Sequence, residues 1–134
     1  MQPPMKACVF GAGSFGTAIA TVLAGNFEQV LLWGRDPKLV EALNGQHENP
    51  VYLPGLKLPA NVIGTTSLEE AAKGADLVVT ATPSHATRDL LGKALPFLPR
   101  HVPIVCVAKG IEIETLMTMT EVHEQCLPEE MHPQ

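Results

Sequence analysis

The stretch Gly11-Ala12-Gly13-Ser14-Phe15-Gly16 carries the clearest chemistry in the chain. Glycines spaced G-x-G-x-x-G, between an apolar run and a helix-like segment, are what a backbone needs to cradle a dinucleotide pyrophosphate. In such a loop Gly11 makes the sharp turn. Gly13 leaves room for the anion to approach the backbone, and Gly16 lets helix and strand pack closely. Free N–H groups and the positive end of the helix dipole then face the phosphate oxygens.

A second pair decides which dinucleotide. Asp36 lies twenty residues beyond Gly16, about where an acid holds the ribose hydroxyls of NAD. Its neighbour Arg35 has the forked guanidinium that suits a 2′-phosphate. Asp36 followed by Pro37 is also a helix start, so the acid has two candidate duties. The balance favours NADP, with NAD tolerated. Two further points, Pro83-Ser84 and Lys109-Gly110, each end an apolar run. In an open parallel sheet they belong to the same rim as the glycine loop, outside the carboxyl ends of the strands. Lys109 reads either as a solvated strand end or as a point charge for a substrate oxyanion or phosphate.

These residues need elements to position them. Apolar runs at 7–10, 30–33, 62–65, 77–81 and 104–108 predict five strands, alternating with helix-like segments. Helices are expected over 14–24, from Asp36 through Leu43, from a Ser67/Glu70 capping box to Gly74, from a Ser84 cap to Leu95, and over 114–125. The resulting fold class is α/β: a doubly wound, mostly parallel sheet of Rossmann type, with helices on both faces. Residues 44–60, punctuated by Asn49-Pro50, Pro54-Gly55 and Pro59, read as a loop. A loop of that length needs a function or an embedded strand. Residues 1–127 are expected to form the nucleotide-binding domain, and 128–134 a polar tail.

Composition narrows the partners. Nine Lys and Arg against fourteen Asp and Glu give a net charge of −5. Without a basic cluster, nucleic acid and anionic membrane surfaces are poor partners. Cys8, Cys106 and Cys126 form no C-x-x-C pair, which argues against a disulfide framework or zinc and for a reducing, cytoplasmic setting. No apolar run reaches the roughly 18 residues of a membrane span. Glycines interrupt the only stretch resembling a signal peptide. His123 and Cys126 share a helical spacing but lack a third convergent ligand, so no metal site is expected. The methionine-bearing stripe of that last helix reads as core.

Taken in order, the glycine loop, Leu32-Trp33-Gly34-Arg35-Asp36, Tyr52-Leu53-Pro54-Gly55, Ala75-Asp76-Leu77-Val78-Val79, Pro83-Ser84 and Ala108-Lys109-Gly110-Ile111-Glu112 resemble the amino-terminal half of bacterial-type NAD(P)-dependent glycerol-3-phosphate dehydrogenase. The Tyr-Leu-Pro loop and the Lys-Gly-Ile-Glu segment are the specific parts. The resemblance implies that Ser14 and Phe15 sit in the cofactor loop, that Arg35 meets the adenosine end, and that Tyr52 lies in a loop over the cofactor. Lys109 would touch both cofactor and substrate. The implied reaction interconverts dihydroxyacetone phosphate and sn-glycerol 3-phosphate with NAD(P)H, feeding phospholipid synthesis in the cytoplasm. The implied assembly of the whole protein is a homodimer.

The family continues into a helical substrate domain with a catalytic lysine, and neither is among these residues. No catalytic residue is therefore assigned here, and these 134 residues alone are expected to bind cofactor weakly and turn over nothing. Two rival readings share the glycine loop. One is a stand-alone NADP(H)-binding regulatory module, which would not need Lys109. The other is a different two-domain dehydrogenase, which would not need the Lys-Gly-Ile-Glu segment.

Overall fold

The computed structural model describes residues 5–107 and 117–129. In chain order the elements are β1 (Lys6–Phe10), α1 (Ser14–Leu23), β2 (Gln29–Trp33), α2 (Pro37–Gly45), β3 (Val62–Thr65), α3 (Leu68–Ala72), β4 (Leu77–Thr80), α4 (Ser84–Ala94), a 3₁₀ turn (Leu95–Phe97), β5 (Ile104–Cys106) and α5 (Met119–Cys126). The five strands form one sheet in the order β3-β2-β1-β4-β5, and every pairing is parallel.

The strands are apolar because both faces of the sheet are covered. Side chains alternate along each strand, so Ala7 and Val9 enter one core while Cys8 and Phe10 enter the other. On one face Ala7, Val9, Val30, Leu32 and Val79 pack with Ala20 of α1 and Leu39 and Leu43 of α2. On the other, Cys8, Phe10, Leu31 and Val78 pack with Leu90 and Leu91 of α4 and Met119 and Val122 of α5. At the carboxyl ends Phe10 pairs with Trp33 and Thr80, Trp33 with Thr65, and Thr80 with Cys106. All five strands therefore stop in register along one rim. Strand order reverses between β1 and β4, which places the ligand crevice of an open α/β sheet there.

Several boundaries differ from expectation, each for a local reason. Pro83 takes the position before α4, its ring holding φ at −55° with extended ψ, so Ser84 becomes the first helical residue and not the cap. The 67/70 box is half formed. Ser67 Oγ accepts from the Glu70 N–H at 3.1 Å, but the Ser67 N–H donates to Thr65 Oγ1 at 3.0 Å. The last helix starts later than expected, because a complete capping box between Thr118 and Glu121 sets its beginning. Residues 114–116 of the expected helix lie outside the described residues, as does Ala108 of the expected fifth strand. The long loop contains no strand, only an isolated antiparallel bridge between Asn49 and Leu53. Among the described residues no helix is long and apolar enough to cross a membrane.

Candidate functional site

Each glycine of the loop meets a different constraint. Gly11 follows β1 with φ at +117°, and a Cβ there would lie 2.7 Å from the Ala81 carbonyl oxygen. Its N–H donates to the Trp33 carbonyl at 2.9 Å, tying the turn to the end of β2. A Cβ on Gly16 would run into the Gly11 carbonyl oxygen, so α1 can approach the strand only without a side chain there. A Cβ on Gly13 would meet nothing within 4 Å. Gly11 and Gly16 are thus needed for packing, whereas the space above Gly13 is open.

Gly13 also occupies the cap position of α1 without a side chain to cap it, and no acid stands in the first turn. The N–H groups that open α1 therefore have no side-chain partner among the described residues, and they carry the positive end of the helix dipole. They face a cleft of about 850 Å³ bounded by the glycine loop, the end of β2 and the start of α4. Gly11, Gly13, Ser14, Phe15, Gly16, Arg35 and Tyr52 all line it. An open Gly13 above unpartnered helix N–H groups, in a cleft of this size at the switch point, fits a dinucleotide.

Two aromatic side chains mark the rim, Phe15 at 54% exposure and Tyr52 at 53%. Trp33 lies in the wall, half-buried, its indole N–H donating to the Thr66 carbonyl at 2.9 Å and its ring edge-on to Phe10 at 6.3 Å. Arg35 is exposed in the cleft and has no hydrogen-bonding or ionic partner among the described residues. Asp36 caps α2, its Oδ1 accepting from the Lys38 N–H at 2.9 Å, and it also lines the cleft. Both candidate duties of the acid are therefore sterically open. Lys109 lies outside the described residues.

Other residues of the site were not foreseen. His85, Asp89 and Lys93 of α4 line the far wall, the last two joined by an exposed i,i+4 ion pair at 3.0 Å. Pro83-Ser84 marked this helix start, but not the residues one turn further on. Asn49 is fully buried beneath the glycine loop. Its Nδ2 donates to the Ala12 carbonyl at 2.9 Å and to Thr17 Oγ1 at 2.8 Å. Its Oδ1 accepts from the Tyr52 N–H at 3.0 Å.

Behind the rim, His123 of α5 is buried. Its Nδ1–H donates to the Met119 carbonyl at 2.6 Å, which leaves Nε2 to accept from the Thr80 hydroxyl at 2.8 Å. Both ring nitrogens are used internally, and burial pushes its pKa below the usual histidine value. Burial likewise pushes the Cys8 thiol up to about 12, so it stays protonated and unreactive. At the opposite end of β1, Lys6 Nζ donates to the carbonyls of Glu70 at 2.8 Å and Lys73 at 2.7 Å, closing the end of α3.

With this geometry in view, comparison with known proteins is specific. The family model for the NAD-dependent glycerol-3-phosphate dehydrogenase N-terminus matches residues 6–133. The chain belongs to that family. A glycerol-3-phosphate dehydrogenase [NAD(P)+] of Myxococcus xanthus is 60% identical over 129 residues, covering 96% of this chain and 38% of that protein. The crystal structure of a glycerol-3-phosphate dehydrogenase from Coxiella burnetii superposes with a TM-score of 0.81 at 26% identity, covering 89% of this chain and 36% of its own. The enzyme of Saccharomyces cerevisiae gives 0.80 at 27% identity, covering 98% and 40%. The chain thus spans about two-fifths of the length of the relatives it matches. The fold is that of the family's nucleotide-binding part, a parallel sheet with helices on both faces.

Proposed function

We propose that residues 1–127 form the cofactor-binding domain of a glycerol-3-phosphate dehydrogenase, with NADP(H) preferred and NAD(H) accepted. The observation that carries this reading is the bare start of α1 beneath the open face of Gly13. The N–H groups of Ser14 and Phe15 would hold the pyrophosphate. Arg35, exposed and without a partner among the described residues, would take the 2′-phosphate through its guanidinium fork. Phe15 and Tyr52 would cover the cofactor from the rim and exclude water. When bound, the cofactor supplies or accepts the hydride. Lys109 would complete the rim toward the substrate phosphate or carbonyl.

In the whole protein the substrate pair would be dihydroxyacetone phosphate and sn-glycerol 3-phosphate, in keeping with the names of the relatives. The same reading carries the homodimer, the cytoplasmic setting and the role in phospholipid synthesis that the sequence resemblance implies. Calorimetric titration tests the cofactor assignment. Arg35→Ala should weaken NADPH about tenfold or more, since a hydrogen bond to a charged group is worth roughly 1.5–3 kcal/mol, and leave NADH unchanged. Equal losses for both nucleotides would remove the 2′-phosphate role. The full-length protein should oxidise NADPH only when dihydroxyacetone phosphate is added, and no such oxidation would overturn the substrate assignment.

A further inference from the structure

We infer that Asn49 is a positioning residue for cofactor binding: it aims the Gly13 N–H at the pyrophosphate and ties the Tyr52 loop to the glycine loop. The inference rests on the cofactor reading above and concerns a residue that touches no ligand itself. Asn49 lies outside the cleft lining and is fully buried. A buried amide is tolerated only when its polar atoms are paired. Here both amide protons and the carbonyl oxygen are used, and each bond goes to a different part of the site.

The bond to Ala12 is the informative one. A planar trans peptide points its C=O and its N–H in opposite directions. Holding the Ala12 carbonyl at 2.9 Å on the buried side therefore turns the Gly13 N–H of the same peptide away from Asn49, toward the cleft that Gly13 lines. Among the described residues that N–H has no protein acceptor, so it is kept for a ligand. The bond to Thr17 at 2.8 Å anchors the same amide to the first turn of α1. The bond from Tyr52 at 3.0 Å makes the long loop follow the glycine loop. This gives residues 46–61 a physical reason to exist as a loop without a strand. They deliver a buried amide beneath the phosphate site and an aromatic side chain above it.

A role in aiming one peptide predicts a selective loss. Asn49→Ala should weaken NADPH about tenfold, yet change affinity for adenosine 2′-phosphate, which lacks the pyrophosphate, less than twofold. If the wild type prefers NADH, adenosine replaces adenosine 2′-phosphate. A residue that merely supports the fold would weaken both ligands alike or neither, and either result overturns the inference. Should Asn49→Ala fail to fold, Thr17→Val removes one acceptor and keeps the shape. It should show a smaller loss, about threefold, confined to NADPH, and an equal or absent loss again overturns the inference. A folded wild type that binds neither NADPH nor NADH would sink the cofactor reading itself, and this inference with it.

Discussion

The helix starts of this domain fall into two groups. Asp36, Ser67 and Thr118 each place a side-chain oxygen on the backbone N–H groups that open α2, α3 and α5. The starts of α1 and α4, at Gly13 and Pro83, have no side-chain cap. The two bare starts follow β1 and β4, the neighbouring strands between which the sheet order reverses, and both line the same cleft. A start without a side-chain cap leaves N–H groups without that partner and costs a helix from a few tenths of a kcal/mol with glycine to about 1 kcal/mol with other uncapping residues. Leaving that cost unrelieved at the switch point, and nowhere else among the described α-helices, separates helix ends that serve the fold from those kept for a ligand.

The largest test of that separation is within the glycine loop. Gly16→Ala puts a methyl group against the Gly11 carbonyl oxygen, a backbone atom that cannot swing aside. It should destabilise the domain by about 3 kcal/mol or more, or prevent folding, as read by thermal or urea unfolding. Gly13→Ala meets open space and an ordinary φ of −77°. It should cost at most about 1 kcal/mol, the loss expected when alanine replaces glycine at an N-cap, while binding NADPH at least about tenfold more weakly. If both variants lose stability alike, the division between packing and ligand glycines is wrong.

A capped helix should show the reverse pattern. Ser67→Ala removes the oxygen that accepts from the Glu70 N–H and should cost ~1 kcal/mol of stability with NADPH affinity unchanged. A drop in affinity without a drop in stability would mean that the capped start of α3, whose Leu68 lines the cleft, also serves the ligand.

What the sequence made legible was local. A glycine spacing, a proline after an aspartate and a run of β-branched residues each report a conformation within a few positions, and they located the five strands and the start of α2. Even there, neighbours competed. Ser84 looked like a cap, but the proline before it took the place. The start of α5 depended on which of several polar residues would close a box, and Thr118 with Glu121 did so. Asn49 was illegible because its partners Ala12 and Thr17 lie 37 and 32 residues away. Nothing in Asn49-Pro50 distinguishes a buried amide from an ordinary turn residue. His123 was legible only as a histidine on a helix, since Thr80 stands 43 residues away at the end of β4.

That last pair supplies the gentlest test, because it fastens a capped helix to the strand that leads into a bare one. His123 is neutral in the fold, its Nδ1 proton held by the Met119 carbonyl and its Nε2 accepting from Thr80. Protonation would remove the acceptor facing Thr80 and bury a charge, and burial accordingly lowers the folded pKa below 6.5. In the unfolded chain the ring titrates near about 6.5. Between the two values the unfolded state binds more protons, so stability rises with pH there. The contribution is full above about pH 6.5 and declines as pH falls toward the folded value. Unfolding free energy measured from pH 8 down to pH 5 should therefore decline below about 6.5 in the wild type, and His123→Gln should lose that part of the decline. Because His123 holds α5 rather than the mouth of the cleft, affinity per folded molecule for NADH, which lacks the 2′-phosphate that itself titrates at about pH 6, should not differ between wild type and His123→Gln over the same range. A fall in NADH affinity present in the wild type and absent in His123→Gln would mean that the Thr80 hydroxyl, three residues before Pro83, also sets the bare start of α4.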